Sequence, residues 1–401
     1  MDYQVQLEPN INNKSIKGTV TIKFTFPLSG NQVEFQSGSL KVDSVSGVNI
    51  KGFKQENGTL TLNLTKKRNE LISVEIHYKG NPKKGVVFQP YKNQAYTVFN
   101  TNEWMICNIR PNDRATISLE LIVPDSLNSI SNGILLSKKK LREHKISYKW
   151  EQKQETPSYT FGFVLGKFNS SIQHYGKITL GFYSPRHTVQ QLDSIFQYTS
   201  DMMSFFERIS EIPYHQKTYS QIIIGYHYQE MSDFAVLKYS YGNMVLKDST
   251  ETNLISHELA HQWWGNMITC KNWNHMWLNE AFATYMSAAY NEHRFGRAKY
   301  EADINAYFKV YENIKNKGLD KPLVFNNWDN PTKNDRNLIY FKGAYVLHKL
   351  REELGNDSFW KAIKHYSQKF YGKSVTTDDF KKAMEESSGQ NLDSFFKQWV
   401  Y

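Results

Sequence analysis

His257 and His261 stand four residues apart in His257-Glu258-Leu259-Ala260-His261, with an acid directly after the first histidine. On a helix, residues i and i+4 share a face, so both imidazoles can reach one metal ion. Glu258 then lies beside that ion, close enough to contact a water on it. A catalytic zinc takes three protein ligands and leaves one position to water, and neutral imidazole suits it. A third ligand must come from a neighbouring element. Trp277-Leu278-Asn279-Glu280-Ala281-Phe282-Ala283 supplies Glu280, with 18 residues between it and His261. That spacing lets one helix end, turn, and enter an antiparallel neighbour. Two surface histidines on a helix are the bland alternative. Against it stand Leu259, Ala260, Trp263 and Trp264, because imidazoles and a carboxylate are costly to bury in such company unless paired or metal-bound.

The elements that must position these groups are legible around them. The apolar-periodic stretch holding His257 is expected to begin near Asp248, with Glu251 three residues later as a capping pair, and to end near Gly265. The helix with Glu280 has Asn274 as candidate N-cap and Gly296 as stop, after His293 and Arg294. Val189 to Ile209 reads as a helix and Gln221 to Tyr228 as a strand. From 250 onward helical patterns dominate, with loops around 265–275 and 316–338. The first 180 or so residues differ. Val20, Ile22, Phe24 and Phe26 alternate with polar residues, as do Leu60, Leu62 and Leu64 and the run from Ala115 to Val123. Period-2 alternation marks strands with one buried and one wet face, as in antiparallel sheets. Asn57-Gly58, Lys79-Gly80-Asn81-Pro82 and Asn132-Gly133 punctuate them. The expected fold is α+β: an antiparallel β-sandwich or saddle over residues 1–185, then a mainly helical catalytic domain over 186–401.

Composition bounds the classes. The chain has 401 residues, 40% hydrophobic and 22% charged, an ordinary globular balance that excludes extensive disorder. No apolar run reaches the roughly 18 residues of a transmembrane helix, and Met1-Asp2-Tyr3-Gln4-Val5 does not open a signal peptide. A cytoplasmic location is favoured on that ground; an extracytoplasmic one stays open if the chain has been trimmed. Two cysteines, Cys107 and Cys270, exclude a disulfide scaffold and a cysteine-rich zinc module, and leave a single bridge between them open. Net charge is +10, and residues 1–185 carry all of it, with 24 Lys+Arg against 14 Asp+Glu. The densest run, Lys138-Lys139-Lys140-Leu141-Arg142, lacks interleaved aromatics, so it reads as a solvated basic face and no nucleic-acid partner is expected.

His-Glu-Leu-Ala-His-Gln-Trp-Trp-Gly-Asn followed by Glu280 in Trp-Leu-Asn-Glu-Ala-Phe-Ala resembles the aminopeptidase N family of zinc peptidases, a gluzincin family. Tyr3 to Phe26, Trp104 to Thr116, Ser131-Asn132-Gly133, Ser158 to Phe168, Tyr340-Phe341-Lys342-Gly343-Ala344 and Phe395 to Tyr401 resemble further segments of it, so the similarity spans the chain. The resemblance implies an N-terminal β domain on a thermolysin-like catalytic domain. It implies one zinc ion per chain on His257, His261 and Glu280, with Glu258 as general base and later proton donor, and Tyr340 as oxyanion donor. Peptides are the implied substrates; a monomer is favoured and the oligomeric state is open.

The chain departs from the family pattern in several places. Where the family has Gly-x-Met-Glu-Asn and uses its Glu to hold the substrate α-amine, this chain has Gln229-Glu230-Met231-Ser232-Asp233. Met231 fits, but Ser232 cannot supply the anion. Glu230 lies two positions earlier, on the same face of an extended strand, and Asp233 could help from a bend. Ser287 stands seven residues after Glu280, where relatives place a carboxylate that orients a ligand histidine. The chain also stops where the family's catalytic domain ends, which predicts an open cleft reached by longer peptides. The leading expectation is an aminopeptidase. An oligopeptidase or endopeptidase that needs no free N-terminus is the near alternative, and a non-catalytic peptide-binding scaffold the distant one. The scaffold reading predicts loss of a ligand, the base or the tyrosine, and all are present.

Overall fold

The computed structural model describes residues 1–25, 30–65, 71–326 and 331–401. Phe26 and part of the 316–338 stretch lie outside the described residues. The chain divides into two compact units: Met1–Val189 with Gln216–Val236, and Gln190–His215 with Leu237–Tyr401. The fold is α+β, with strands filling the first unit and helices dominating the second. No helix among the described residues is long and apolar enough to cross a membrane.

In the first unit, alternation becomes strands as expected. Along Asp2–Asn10, Tyr3, Val5 and Leu7 point inward; along Ser15–Thr25, Val20, Ile22 and Phe24 do the same. A seven-stranded sheet runs in the order Ile134–Lys140, Lys145–Pro157, Arg114–Pro124, Asp2–Asn10, Ser15–Thr25, Leu71–Gly80, Lys41–Ser46. It is not wholly antiparallel: Asp2–Asn10 runs parallel to Arg114–Pro124. These two strands are joined through some hundred residues of other structure, so no hairpin dictates their direction. Its apolar face shares one core with a three-stranded sheet, which contributes Phe35, Leu60 and Leu62, and a four-stranded sheet, which contributes Ala95, Phe163 and Leu165. The exposed lysines 138–140 lie on Ile134–Lys140, an edge strand, where charge discourages pairing with another chain. A five-stranded sheet completes the unit, in the order Asn169–Tyr175, Ile178–Ser184, Thr218–Ile223, Phe234–Leu237, Gln229–Met231. The expected Gln221 to Tyr228 strand is therefore shifted, to Thr218–Ile223. Cys107 and Cys270 are both buried free thiols, so the bridge left open by the sequence is not formed.

The second unit is organised around Trp277–Phe295. From Trp277 to Asn291 every residue of this helix is buried, and a helix covered all round belongs at the centre of its core. Asn253–Ala260, Arg297–Asn316 and Gly343–Leu354 pack against it. Phe282 stacks between Trp264 and Tyr366, with ring centroids at 6.2 and 5.5 Å. Two indoles are tied by hydrogen bonds: Trp263 Nε1 donates to the Ile212 carbonyl at 2.9 Å and Trp264 Nε1 to Ser367 Oγ at 3.1 Å. The single helix expected over 189–209 is two, Val189–Ile195 and Thr199–Ser210, broken at Tyr198 (φ −99°, ψ 1°).

The helix carrying the paired histidines starts later than its sequence suggests. Asp248 closes a turn of its own, accepting from Thr250 N and Oγ1 at 2.9 and 2.7 Å, and the helix begins at Asn253. Its leading amides are met instead by the buried Tyr241 hydroxyl, which accepts from Leu254 N at 3.0 Å and Ile255 N at 3.3 Å and donates to the Glu251 carbonyl at 3.1 Å. Two amides that a helix leaves orphaned are thus satisfied by a tyrosine from the preceding helix, Tyr239–Lys247. Tyr241→Phe keeps the ring and removes the cap. It is expected to cost about 1–2 kcal/mol of stability, read as a lowered Tm. An unchanged Tm would contradict the assignment.

Candidate active site

Helix geometry delivers what the His-Glu-x-x-His spacing promised. His257 lies in the last turn of Asn253–Ala260, and His261 follows at its C-cap. Their Nε2 atoms are 3.1 Å apart and the rings stand at 86°. Glu280, in the first turn of Trp277–Phe295, sets Oε2 3.4 Å from His261 Nε2 and 3.6 Å from His257 Nε2. The three residues the sequence singled out thus converge on one point in the second unit. Glu258, 1% exposed, brings a carboxylate oxygen within 4.8 Å of a His261 ring nitrogen.

The outer nitrogens fix how the inner ones face. His261 Nδ1 lies 3.1 Å from the Trp264 carbonyl, which can only accept, so Nδ1 carries the proton. Gly265 makes room for that ring. Its φ is +138°, and a Cβ there would lie 2.6 Å from His261 Nδ1. His257 Nδ1 lies 3.4 Å from Thr284 Oγ1, whose own hydrogen goes to the Glu280 carbonyl at 2.7 Å, leaving the oxygen to accept. Both Nε2 atoms then present lone pairs to each other at 3.1 Å, beside a carboxylate oxygen that takes no hydrogen bond among the described residues. Such an arrangement repels itself until a cation sits between the donors. Bonds of about 2.0–2.1 Å at tetrahedral angles separate zinc ligands by about 3.3 Å, close to the separations found here. The residues present therefore fit a zinc ion. Burial pushes the His257 imidazole below its ordinary pKa and keeps it neutral, as a metal ligand must be.

Tyr340 belongs to the same unit. It sits in a π-helical stretch, Leu338–Lys342, and its half-buried ring stacks on His257 at 5.8 Å and 11°. Such π turns recur at functional sites because the extra residue re-aims a side chain. Ser287 hydrogen-bonds to neither His257 nor His261; its hydroxyl pairs with Ser256 Oγ at 2.7 Å and the Asn253 carbonyl at 2.9 Å. The residue behind His257 is Thr284, four after Glu280. Its i+4 spacing from Glu280 is the sequence signal that points to it. His275 takes the Thr377 amide at 3.2 Å, a structural role.

The candidate amine-binding residues lie in the first unit. Gln229–Met231 and Phe234–Leu237 form a hairpin, with Met231 paired to Phe234. Ser232 and Asp233 are therefore its two turn residues, and the strand on which Glu230 and Ser232 were expected to share a face ends at Met231. Asp233 adopts φ +71° and accepts the Gly133 amide at 2.9 Å. Asn132 Nδ2 holds the Ser232 carbonyl at 2.6 Å, and Ser232 N donates to the Thr160 carbonyl at 3.0 Å. Met231 packs near Gly162, where a Cβ would meet its Cε at 3.0 Å. Ser232 Oγ is buried and makes no hydrogen bond among the described residues. Glu230, 8% exposed, is the buried carboxylate on the strand itself.

Thr284→Val removes the acceptor behind His257 while keeping its shape. Outer partners of metal-binding histidines are typically worth about 10–100-fold in affinity. Competition with a chromophoric chelator is expected to show zinc held about tenfold more weakly; unchanged affinity would remove Thr284 from the site.

Comparison with known proteins agrees with this geometry. Residues 195–399 match the peptidase family M1 domain and residues 1–160 the peptidase M1 N-terminal domain. A leucyl aminopeptidase of Saccharolobus solfataricus is 24% identical over 391 residues, covering 93% of this chain and 47% of its own length. Leucine aminopeptidase 2 of Aspergillus oryzae is 25% identical over 348 residues, covering 81% of this chain and 55% of its own. The chain thus spans about half the length of these curated relatives. The M1 zinc metallopeptidase of Deinococcus radiodurans, solved as a point mutant, shares the fold with a TM-score of 0.83 at 18% identity, over 100% of this chain and 94% of that one. The same protein solved with a Tyr-Ser-Ala substrate superposes with a TM-score of 0.83 at 19% identity, over 100% and 93%. Matched over more than half its length by the catalytic-domain family, and over most of the remainder by its N-terminal companion, the chain belongs to the M1 family of peptidases.

Proposed function

We propose that the chain is a zinc-dependent peptidase that holds one zinc ion on His257, His261 and Glu280 and acts as an aminopeptidase, releasing N-terminal residues from peptides. The convergence of those three ligand atoms within the second unit carries the reading. The names of the archaeal and fungal relatives support the aminopeptidase assignment. A zinc ion bound there acidifies water and polarises a scissile carbonyl. Glu258 takes the proton of the attacking water and hands it to the leaving amine, the two halves of general acid–base catalysis. The Tyr340 hydroxyl donates to the oxyanion as the carbonyl becomes tetrahedral. Glu230 is assigned to the substrate α-ammonium, because Asp233 is bound to the Gly133 amide and Ser232 carries no charge.

That same loss of a charged residue at Ser232 favours one other reading, an oligopeptidase or endopeptidase indifferent to a free N-terminus. Two short peptides differing only in N-terminal acetylation separate the two. Incubated with the zinc-loaded protein and read by mass spectrometry, the free peptide alone is expected to lose residues stepwise. Internal cleavage of both would establish the second reading, and cleavage of neither with zinc bound would leave a binding scaffold. Glu258→Gln is expected to keep zinc and lose hydrolysis, whereas His261→Ala loses both; wild-type zinc affinity in His261→Ala would overturn the ligand assignment. Tyr340→Phe is expected to lower kcat by about 10²–10³ at unchanged zinc content. An unaltered kcat would remove its role.

A further inference from the structure

Lys342 is a lysine in a helical core, 5% exposed. A buried ammonium is tolerated only where its donors are met. Here Nζ donates to Asp320 Oδ1 at 2.8 Å and to the Lys321 carbonyl at 2.7 Å, and it stands 5.4 Å from the centre of the Tyr311 ring. Its acceptors belong to a short link that follows the Arg297–Asn316 helix.

The next residue of that link reaches the other way. Lys321 Nζ donates to Asp335 Oδ1 at 2.6 Å. Asp335 is the buried acid of a capping box: its Oδ2 accepts from Thr332 N and Thr332 Oγ1, both at 2.8 Å, and starts the Lys333–Asn337 helix. Consecutive residues thus grip both ends of one segment. Lys321 holds its cap and Asp320 holds its last residue. Between the two grips lies the π turn Leu338–Lys342 with Tyr340 at its middle. A π turn is an uncommon register that persists where its surroundings impose it. The Phe341 ring against Tyr307, at 5.5 Å, is an apolar contact on the same turn and sets no register along the helix axis. Two ion pairs of opposite polarity do, because sliding the segment by one residue breaks both.

We infer that Asp320 and Lys321 form a clasp on the segment 332–342 that holds its π turn, and that Asp320 and Lys342 are thereby positioning residues for the Tyr340 hydroxyl. The catalytic consequence rests on the function proposed above; the clasp itself does not. Asp320→Asn and Lys342→Met weaken one grip each. Asp320 is 30% exposed in its side chain, so the first variant folds with little perturbation.

Hydrogen exchange on the zinc-loaded protein is expected to show amides 338–343 opening about tenfold faster in either variant, with the zinc helix unchanged. Peptide hydrolysis is expected to lose about tenfold in kcat with KM and zinc affinity retained, since misplacing a catalytic group by about 1 Å can cost up to 10². In the Tyr340→Phe background the same substitutions are expected to cost nothing more, the signature of one shared function. Unchanged exchange at 338–343 overturns the clasp. Faster exchange with wild-type kcat, or kcat losses that multiply with that of Tyr340→Phe, overturns its positioning role. Should the wild type cleave no peptide, the proposed function fails, and exchange alone still decides whether the clasp exists.

Discussion

Three donor atoms facing one another at one point, two of them on buried residues, are the constraint on which the second unit depends. Two imidazole lone pairs 3.1 Å apart, with a carboxylate oxygen at 3.4 and 3.6 Å, form an arrangement that no neutral packing would stabilise. It persists because the outer atoms are tied. The Trp264 carbonyl orients His261, Thr284 orients His257, and Glu280 rides on a helix buried along fifteen consecutive residues, 277 to 291. Burial favours the neutral form of the His257 imidazole. That is the protonation state in which it can bind a divalent cation. Aromatic packing of Trp264, Phe282 and Tyr366 supplies the rigid floor against which such spacing can be held.

Two candidate catalytic groups lie beside that centre on elements of the second unit. Glu258 comes with the histidines, one residue along the same helix. Tyr340 comes from a segment whose local conformation is not an α-helix, and it stacks on His257 only because the chain takes a π turn there. In the first unit, the hairpin with Glu230, Ser232 and Asp233 is fastened to residues some hundred positions away, Asn132 and Gly133, through the Ser232 carbonyl and the Asp233 carboxylate. The Asp233 carboxylate is bound to the backbone. Serine at 232 puts a hydroxyl, and no charge, at the first position of that turn.

What the sequence made legible follows from which interactions are local. The convergence of His257, His261 and Glu280 was readable because i and i+4 on a helix must share a face, and because Glu280 opens an apolar helix at a turn's distance. Period-2 runs such as Val20, Ile22 and Phe24 named the buried face of their strand. Interactions between distant segments left no such mark. Nothing local tells that Tyr241 caps the helix at Leu254 and Ile255, so Asp248 and Glu251 looked like the cap. Nothing local tells that Asp2–Asn10 runs parallel to Arg114–Pro124, or that Asp233 answers Gly133. The break at Tyr198 and the π turn at 338–342 are choices of backbone conformation made by tertiary packing, which overrides an otherwise continuous helical pattern. Thr284 lies between these cases: its spacing from Glu280 was visible, while its partner His257 was not.

The most direct test of the central claim is zinc absorption spectroscopy on protein dialysed after loading, with metal content measured on the same sample. The account expects one equivalent of zinc with nitrogen and oxygen neighbours only, two of them imidazoles. Absence of retained zinc, or a sphere containing sulfur from Cys107 or Cys270, would contradict the assignment of His257, His261 and Glu280 as its ligands.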